Sequence, residues 1–420
     1  MIVPSIDLMN GRAVQLRQGR DLVLDAGDPI ALFDRFSVAG EVAVIDLDAA
    51  RGCGSNADLV RRLVRRGPCR LGGGIRSYRD AVGWLDAGAA RIILGTAAEP
   101  RRCRRLPRDR VIAALDARNS RVVINGWRTV TDDTVLERAR ALAPFVGGFL
   151  FTQVEREGML GGIDLTPIDA LADVVGSDCR ITAAGGIATP EEIAALAARD
   201  IDAQVGMALY AGRFSLGEAV TAALAPSLNG RWPTVVCDEN DRTLGLAWSS
   251  RTSLTRAVDE RRGIYWSRAR ESLWIKGETS GATQDLLRVD IDCDRDAIRF
   301  SVRQRNGFCH RGTRSCWGNR FGLDTLEQLL ANRRVEAPAG SGTGRLFAQP
   351  GLLNAKLREE ADELAAARGS AEATHEAADL IFFALAALVR EGGTLDGVVR
   401  ELARRNRRLT RRPMETESPA

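Results

Sequence analysis

"LGGGIRSYRDAVGWLDAGAARIILGTA" (Leu71–Ala97) has a second version in the same chain, "AAGGIATPEEIAALAARDIDAQVGMA" (Ala183–Ala208). Each copy reads as a short apolar strand, a Gly-Gly-Ile turn, an amphipathic helix, another strand and another glycine turn. Glycines at strand ends let backbone N–H groups approach a phosphate closely, and a following helix N-terminus adds a favourable dipole. The same glycines could serve only as tight turns, but their duplication at strand C-termini favours phosphate. The contact candidates are Gly73, Gly74, Gly95 and Thr96 in one copy and Gly185, Gly186, Gly206 and Met207 in the other.

Outward from this repeat, short apolar runs fall at Ile2–Ile6, Val42–Leu47, Cys69–Leu71, Ile92–Leu94, Val111–Leu115, Gly147–Phe151, Arg180–Ala183 and Ala203–Val205. Amphipathic stretches such as "NADLVRRLVRR" and "PEEIAALAAR" separate them. Eight strands with helices between them, within residues 1–225, predict a (β/α)8 TIM barrel with its two glycine-turn pairs facing each other across the mouth.

At 420 residues the chain is long enough for two or three domains. Its N-terminus, "MIVPSIDLMNGR", lacks a basic leader and carries Asp7 within its apolar run, so a signal peptide is not expected. No apolar run approaches the roughly 20 residues needed to span a bilayer. Eight scattered cysteines read as reduced thiols, and the expected compartment is the cytoplasm. A net charge of +4, with its cations dispersed, points to neither nucleic acid nor membrane as a partner. Of the 59 Lys plus Arg, only Lys276 and Lys356 are lysine, and the only histidines are His310 and His375. A lysine retained in so arginine-rich a chain hints at a site that wants a compact ammonium.

After Pro226 the pattern changes to short alternating runs, "TVVCDE", "GIYWSR", "SLWIKG" and "AIRFSV", which predict a small α+β or mostly antiparallel unit. Its stretch "VDIDCDRDAIRF" (Val289–Phe300), read as a strand, puts Asp292, Asp294 and Asp296 on one face and Cys293 on the other. Three carboxylates suit a hard cation such as Mg²⁺. Cys309 and Cys316 follow Cys293 at spacings x15 and x6, and three thiolates with an open fourth position suit a catalytic Zn²⁺. His310 is a rival fourth ligand, or a base beside the metal. A solvated acidic strand and unrelated core thiols would account for the same residues.

"YWSRARESLWIKGETSG", "DCDRD" and "CHRGTRSCWG" closely resemble the phosphoribosyl-AMP cyclohydrolase family. The resemblance implies Zn²⁺ on Cys293, Cys309 and Cys316, Mg²⁺ on Asp292, Asp294 and Asp296, and water activated by metal attacking C6 of the adenine ring. It also implies that Lys276 is a substrate-loop cation and that the site is shared across a dimer.

From Asp324 to Arg407 the chain reads as helical. "KLREEADEL" sets Lys356, Glu360 and Glu363 at i, i+4 and i+7, with Glu359 close enough to join, and "HEAADL" sets Glu376 and Asp379 at i and i+3. Acidic faces are usually solvent faces. Here the adjoining "LIFFALAALV" argues for burial, where unpaired carboxylates are costly. Two such pairs facing each other would hold Mg²⁺ on a pyrophosphate. "GTGRLFAQPGLLNAKLREEADEL" and "HEAADLIFFALAALV" resemble phosphoribosyl-ATP pyrophosphohydrolase, an all-α helical-bundle domain of the nucleotide pyrophosphohydrolase type. The resemblance implies Mg²⁺-assisted attack of water on the α–β phosphoanhydride. His375 receives no role.

"MIVPSIDLMNGRAVQLRQG", "IDLDAARGCGSN", "GGGIRS", "ALDAR", "NGW" and "VGMALYAGRFSL" resemble the isomerase of phosphoribosylformimino-AICAR ribotide. Gly126-Trp127 and "QLRQG" favour it over the related glutamine-linked cyclase. An Amadori rearrangement needs an acid to open the ribose and a base to take the C2 proton. The resemblance implies Asp7 as base, Asp116 as acid or positioning group, and Arg17, Trp127 and Thr152 as substrate contacts. In place of the family's "TDxxxDG" the chain has "TQVEREG", with Gln153 and Glu157. Glu157 can still donate a proton from one methylene further out, which leaves the identity of the acid open between it and Asp116. The barrel as a mere binding or assembly module, or as an isomerase of phosphoribosylanthranilate too, are the alternatives.

The expected organisation is multidomain: barrel 1–226, metal-binding α+β unit 227–320, helical unit 321–412 and a disordered tail 413–420. Small phosphorylated ribotides are the expected substrates, and a homodimer through the cyclohydrolase and helical domains the expected assembly.

Overall fold

Short, largely buried apolar runs make the eight barrel strands, and side-chain caps start several of the helices between them. A computed structural model describes residues 1–319 and 321–410; the tail expected at 413–420 lies outside them. The barrel strands are Ile2–Met9, Val42–Asp46, Cys69–Gly72, Arg91–Leu94, Val111–Arg118, Gly148–Gln153, Arg180–Ala184 and Asp202–Val205. Each pairs in parallel with the next, and the eighth closes on the first through Ile2↔Ala203 and Pro4↔Val205. Capping boxes open four of the helices: Ser77 with Asp80, Thr134 with Glu137, Thr189 with Glu192 and Ser215 with Glu218.

Inside the barrel, Ile93, Ile112, Leu150 and Ala184 pack with Ile45 and Ala114 and plug the channel, as side chains do in barrels of this size. A buried ion network joins strands at the N-terminal rim. Arg70 binds Asp202 at 2.9 Å and Glu41 at 2.6 Å, and Arg180 binds Asp202 at 3.0 Å. Burial alone would raise the Asp202 carboxyl. The Met1 amino group, Arg70 and Arg180 override that and hold it far below the usual carboxylate range.

Two hairpins extend the sheet beyond the expected strands. Arg12–Arg17 and Asp21–Gly27 follow the first strand, and Arg121–Ile124 and Thr129–Thr134 follow the fifth. Asn10-Gly11 and Asn119-Ser120 turn the first and fifth strands into them, with φ of 50° and 75°, and of 51° and 62°. Two consecutive positive φ values are what a two-residue hairpin turn requires, so Asn-Gly was a legible signal that the apolar pattern hid.

The middle segment forms a four-stranded sheet in the order Thr243–Ser250, Arg231–Cys237, Ile298–Gln304, Gln284–Ile291, plus the hairpin Ile264–Ser267 with Ser272–Ile275. It packs with the barrel as one unit spanning residues 1–316, to which residues 407–410 also belong. The helix Arg251–Glu260 lies against the last barrel helix, Leu216–Ala222. Gly217 donates to Asp259 at 2.8 Å, and a Cβ there would come within 2.2 Å of the Thr255 carbonyl. One expectation is corrected. The strand ends at Ile291, and Asp292–Asp296 form the turn before Ile298–Gln304, with Arg295 at φ 68°. The turn leaves all three aspartates exposed and lets Asp292 accept the Ala297 N–H at 3.0 Å.

Residues 317–406 form a second unit of helices: Leu323–Val335, Gly342–Ala348, Pro350–Ala366, Ser370–Arg390 and Leu395–Asn406. Leu330, Leu346, Leu353, Leu385 and Val389 make its core. Among the described residues no helix is long and apolar enough to cross a membrane.

Candidate active sites

A cavity of about 530 Å³ opens at the C-terminal ends of the barrel strands. Parallel register brings the ends of all eight strands to one mouth, so residues far apart in sequence converge there. Asp7, Asp116, Trp127, Thr152 and Glu157 line it, as do both glycine-turn pairs with Thr96 and Met207. Gly73 and Gly185 hold equivalent conformations, φ 93° and 92°. A Cβ at either would sit 2.2 Å from the Asp46 carbonyl or 2.5 Å from that of Gln153, so only glycine lets each turn fold onto the preceding strand.

The three carboxylates differ by environment. Burial raises Asp7 to about 6, opposed by the Ser5 hydroxyl, which donates to it at 3.1 Å. Burial and then the negative charges of Asp7 and Asp116 push Glu157 up to about 8. Burial also raises Asp116, while hydrogen bonds from Trp127 and Thr152 pull it back. At neutral pH such a set holds one ionised and one protonated carboxyl side by side, the condition for acid–base chemistry.

Three loops lock around Glu157. The Gln18 N–H donates to the Glu157 carbonyl at 3.0 Å, and its Nε2 to the Glu155 carbonyl at 2.9 Å. The Trp127 ring lies so close to Gly19 that a Cβ there would be 2.5 Å from it. Arg17, expected at the substrate, is exposed on the hairpin and does not line the cavity. Arg51, Arg76 and Arg102 line it instead. Arg76 directly follows the first Gly-Gly-Ile, where the second copy has Ala188, so comparing the two repeats would have singled it out.

In the middle segment the Cys309 and Cys316 thiols stand close enough to shift one another's titration. The backbone N–H of Arg311 lowers Cys309; burial and then Cys309 raise Cys316. Lys276 is buried nearby, its Nζ donating to the Ala282 carbonyl at 3.2 Å and lying 5.4 Å from the Phe308 ring centre. Exposed His310 places Nδ1 3.8 Å from the Cys309 sulfur. Cys293 is exposed in the acidic turn, and the three thiols do not gather into one ligand set within the described chain. The carboxylates of Asp292, Asp294 and Asp296 do lie within 4.8 Å of one another, and Asp294 is the main cause of a raised Asp296.

In the helical unit Glu360, Glu376 and Asp379 gather within 4.8 Å, with Glu360 buried. Glu359 instead binds Lys356 at 2.9 Å, and Glu363 is exposed outside the cluster. His375 Nε2 stands 3.6 Å from Asp379. Both acidic clusters fit a hard divalent cation by donor chemistry. The thiols of one chain supply two adjacent zinc donors rather than three.

Fold and site define a TIM-barrel protein with a carboxylate-lined mouth, joined to a small sheet domain and a helical unit. The chain belongs to the histidine biosynthesis protein family, whose model matches residues 1–215. Residues 245–318 match phosphoribosyl-AMP cyclohydrolase, and residues 323–406 match phosphoribosyl-ATP pyrophosphohydrolase. An imidazole-4-carboxamide isomerase of Methanoregula boonei is 40% identical over 232 residues, covering 52% of this chain and 98% of that protein. Histidine biosynthesis trifunctional proteins of Saccharomyces bayanus and Saccharomyces cerevisiae are 47% and 48% identical over 197 and 186 residues, which is 46% and 44% of this chain. The chain spans only 25% and 23% of those two relatives.

Proposed function

We propose that the chain carries out three consecutive reactions on one ribotide. The helical segment hydrolyses phosphoribosyl-ATP to phosphoribosyl-AMP and pyrophosphate. The middle segment opens the adenine ring of phosphoribosyl-AMP. The barrel isomerises the resulting aminoaldose by an Amadori rearrangement. We assign these reactions to 321–412, 227–320 and 1–226 respectively. Each product is the next reaction's substrate.

The observation that carries the barrel assignment is the pairing of Asp7, near 6, with Glu157, near 8, between two facing phosphate turns. Ionised Asp7 takes the C2 proton, and protonated Glu157 donates to the ribose ring oxygen as the ring opens. Asp116, held by Trp127 and Thr152, orients the intermediate. The glycine turns grip the two terminal phosphates so that the sugar lies over the acids.

In the middle segment the reading places Zn²⁺ on Cys309, Cys316 and the Cys293 of a second chain, within a homodimer, and Mg²⁺ on the acidic turn. When bound, zinc supplies a water acidic enough to attack the ring at neutral pH. Lys276 stands beside the thiols, where a phosphate-bearing substrate approaches, and burial lowers the pKa of its ammonium. In the helical unit Glu360, Glu376 and Asp379 would hold Mg²⁺, which draws charge off the pyrophosphate leaving group. Purified protein given the ring-opened ribotide should isomerise it, with the reaction lost in Asp7→Asn. No turnover by the wild-type chain would leave the barrel a binding module.

A further inference from the structure

A second cavity, of about 430 Å³, lies in the helical unit. Arg333, Arg334 and Arg390 line it, its other walls are Phe347 and small residues, and no carboxylate is among the described lining residues. All three arginines stand in last helical turns, where a cation also favours the helix dipole. Arg334 donates to the Val389 carbonyl at 2.7 Å, and Arg390 binds Glu391 at 2.8 Å and reaches Asn354 at 3.4 Å. Those bonds account for two of the arginines as helix-end contacts. They do not account for Arg333, a half-buried residue whose guanidinium has no hydrogen-bond or ion-pair partner among the described residues.

The position of this cavity matters as much as its charge. Asp379 and Arg390 share one face of the helix Ser370–Arg390, about three turns and about 16 Å apart. On the helix Pro350–Ala366, Glu360 meets the acidic end and Asn354 meets Arg390. Along this helix pair an acidic cluster, suited to a cation-bound polyphosphate, thus stands about three turns from a cavity lined by three guanidinium groups. Of these, Arg390 alone has a carboxylate partner among the described residues, Glu391.

We propose that the Arg333–Arg334–Arg390 cavity binds a phosphate monoester at the far end of a nucleotide whose polyphosphate sits at Glu360, Glu376 and Asp379. Guanidinium groups bind phosphate oxygens in bidentate pairs, and Phe347 offers a face to the attached sugar. The inference rests on the pyrophosphate-releasing activity assigned above to this unit. It adds the group by which a nucleotide phosphorylated at both ends is told from one phosphorylated only once.

The test uses the full chain. Ribose 5-phosphate should protect Arg333, Arg334 and Arg390 from an arginine-specific dicarbonyl reagent, read peptide by peptide by mass spectrometry. Arg333→Ala should raise KM for phosphoribosyl-ATP about tenfold, with kcat for pyrophosphate release within about twofold, and Arg333→Lys should recover part of the loss. Equal labelling with and without ribose 5-phosphate, together with an unchanged KM, overturns the subsite. Protection with an unchanged KM also overturns it, because the cavity would lie off the substrate's path. Protection in a chain that releases no pyrophosphate keeps the phosphate site and sinks the activity instead.

Discussion

The barrel mouth and the thiol site differ in where their residues sit. Asp7 and Asp116 stand on strands of one closed parallel sheet, whose register decides that they meet. Cys293 and Cys309 stand on separate turns that no sheet pairing aligns, and within one chain they stay apart. A site on strand ends is assembled by the fold itself, whereas a site on turns needs a ligand or a second chain to complete it.

The sharpest way to break that contrast is complementation in the thiol site. Cys293→Ala and Cys309→Ala should each lose zinc and cyclohydrolase activity. Mixing the two after unfolding and refolding should restore about a quarter of wild-type activity, since half the dimers are mixed and each has one intact site. Recovery no greater than in either variant alone would confine the site to one chain.

In the barrel, Glu157→Gln should slow isomerisation by about 100-fold or more. The wild-type rate should rise with pH as Asp7 ionises near 6 and fall as Glu157 ionises near 8. The variant should lose the alkaline limb; a retained limb near 8 would assign the acid elsewhere. Glu157 is raised in the fold, so its contribution to stability is present at low pH and is lost as pH rises through about 8. Thermal denaturation should accordingly find Glu157→Gln more resistant than wild type above that pH.

Asp202→Asn tests the opposite rim of the same barrel. Leaving Arg70 buried with a weakened partner should cost about 3 kcal/mol in urea unfolding. Asp202 is depressed in the fold, so its contribution is present above the ordinary carboxylate pKa and disappears on acidification. The variant should show a flatter loss of stability below about pH 5, and parallel curves would remove the network from the account. The smallest effect is expected from Gln18→Ala, which removes one bond to the Glu157 loop. A loss in kcat of about fivefold, with the alkaline limb moved and KM unchanged, would mark Gln18 as a positioning residue. An unmoved limb would make that bond structural only.

All eight barrel strands and both glycine-turn pairs were legible because local periodicity and glycine placement encode them directly. The hairpins after the first and fifth strands escaped because each pairs a short buried strand, Arg12–Arg17 or Arg121–Ile124, with a largely exposed one, although Asn10-Gly11 marked one turn. Asp292–Asp296 satisfied strand alternation equally well as a turn, and nothing local separates the two. Pairing of Ile291 with Ile298 decides it, since residues that close to a shared register must turn between them.

By itself, then, the sequence determined the kind of chemistry on offer: which residues are acids, thiols and strand-end glycines, and that the chain repeats half a barrel. Tertiary structure alone decided which of them meet. It drew Glu157 beside Asp7 and raised it by burial, turned Glu359 toward Lys356, and left Cys293 away from Cys309. The physical reason is that residue type sets a group's intrinsic chemistry, while desolvation and neighbouring charge depend on contacts between segments distant in the chain.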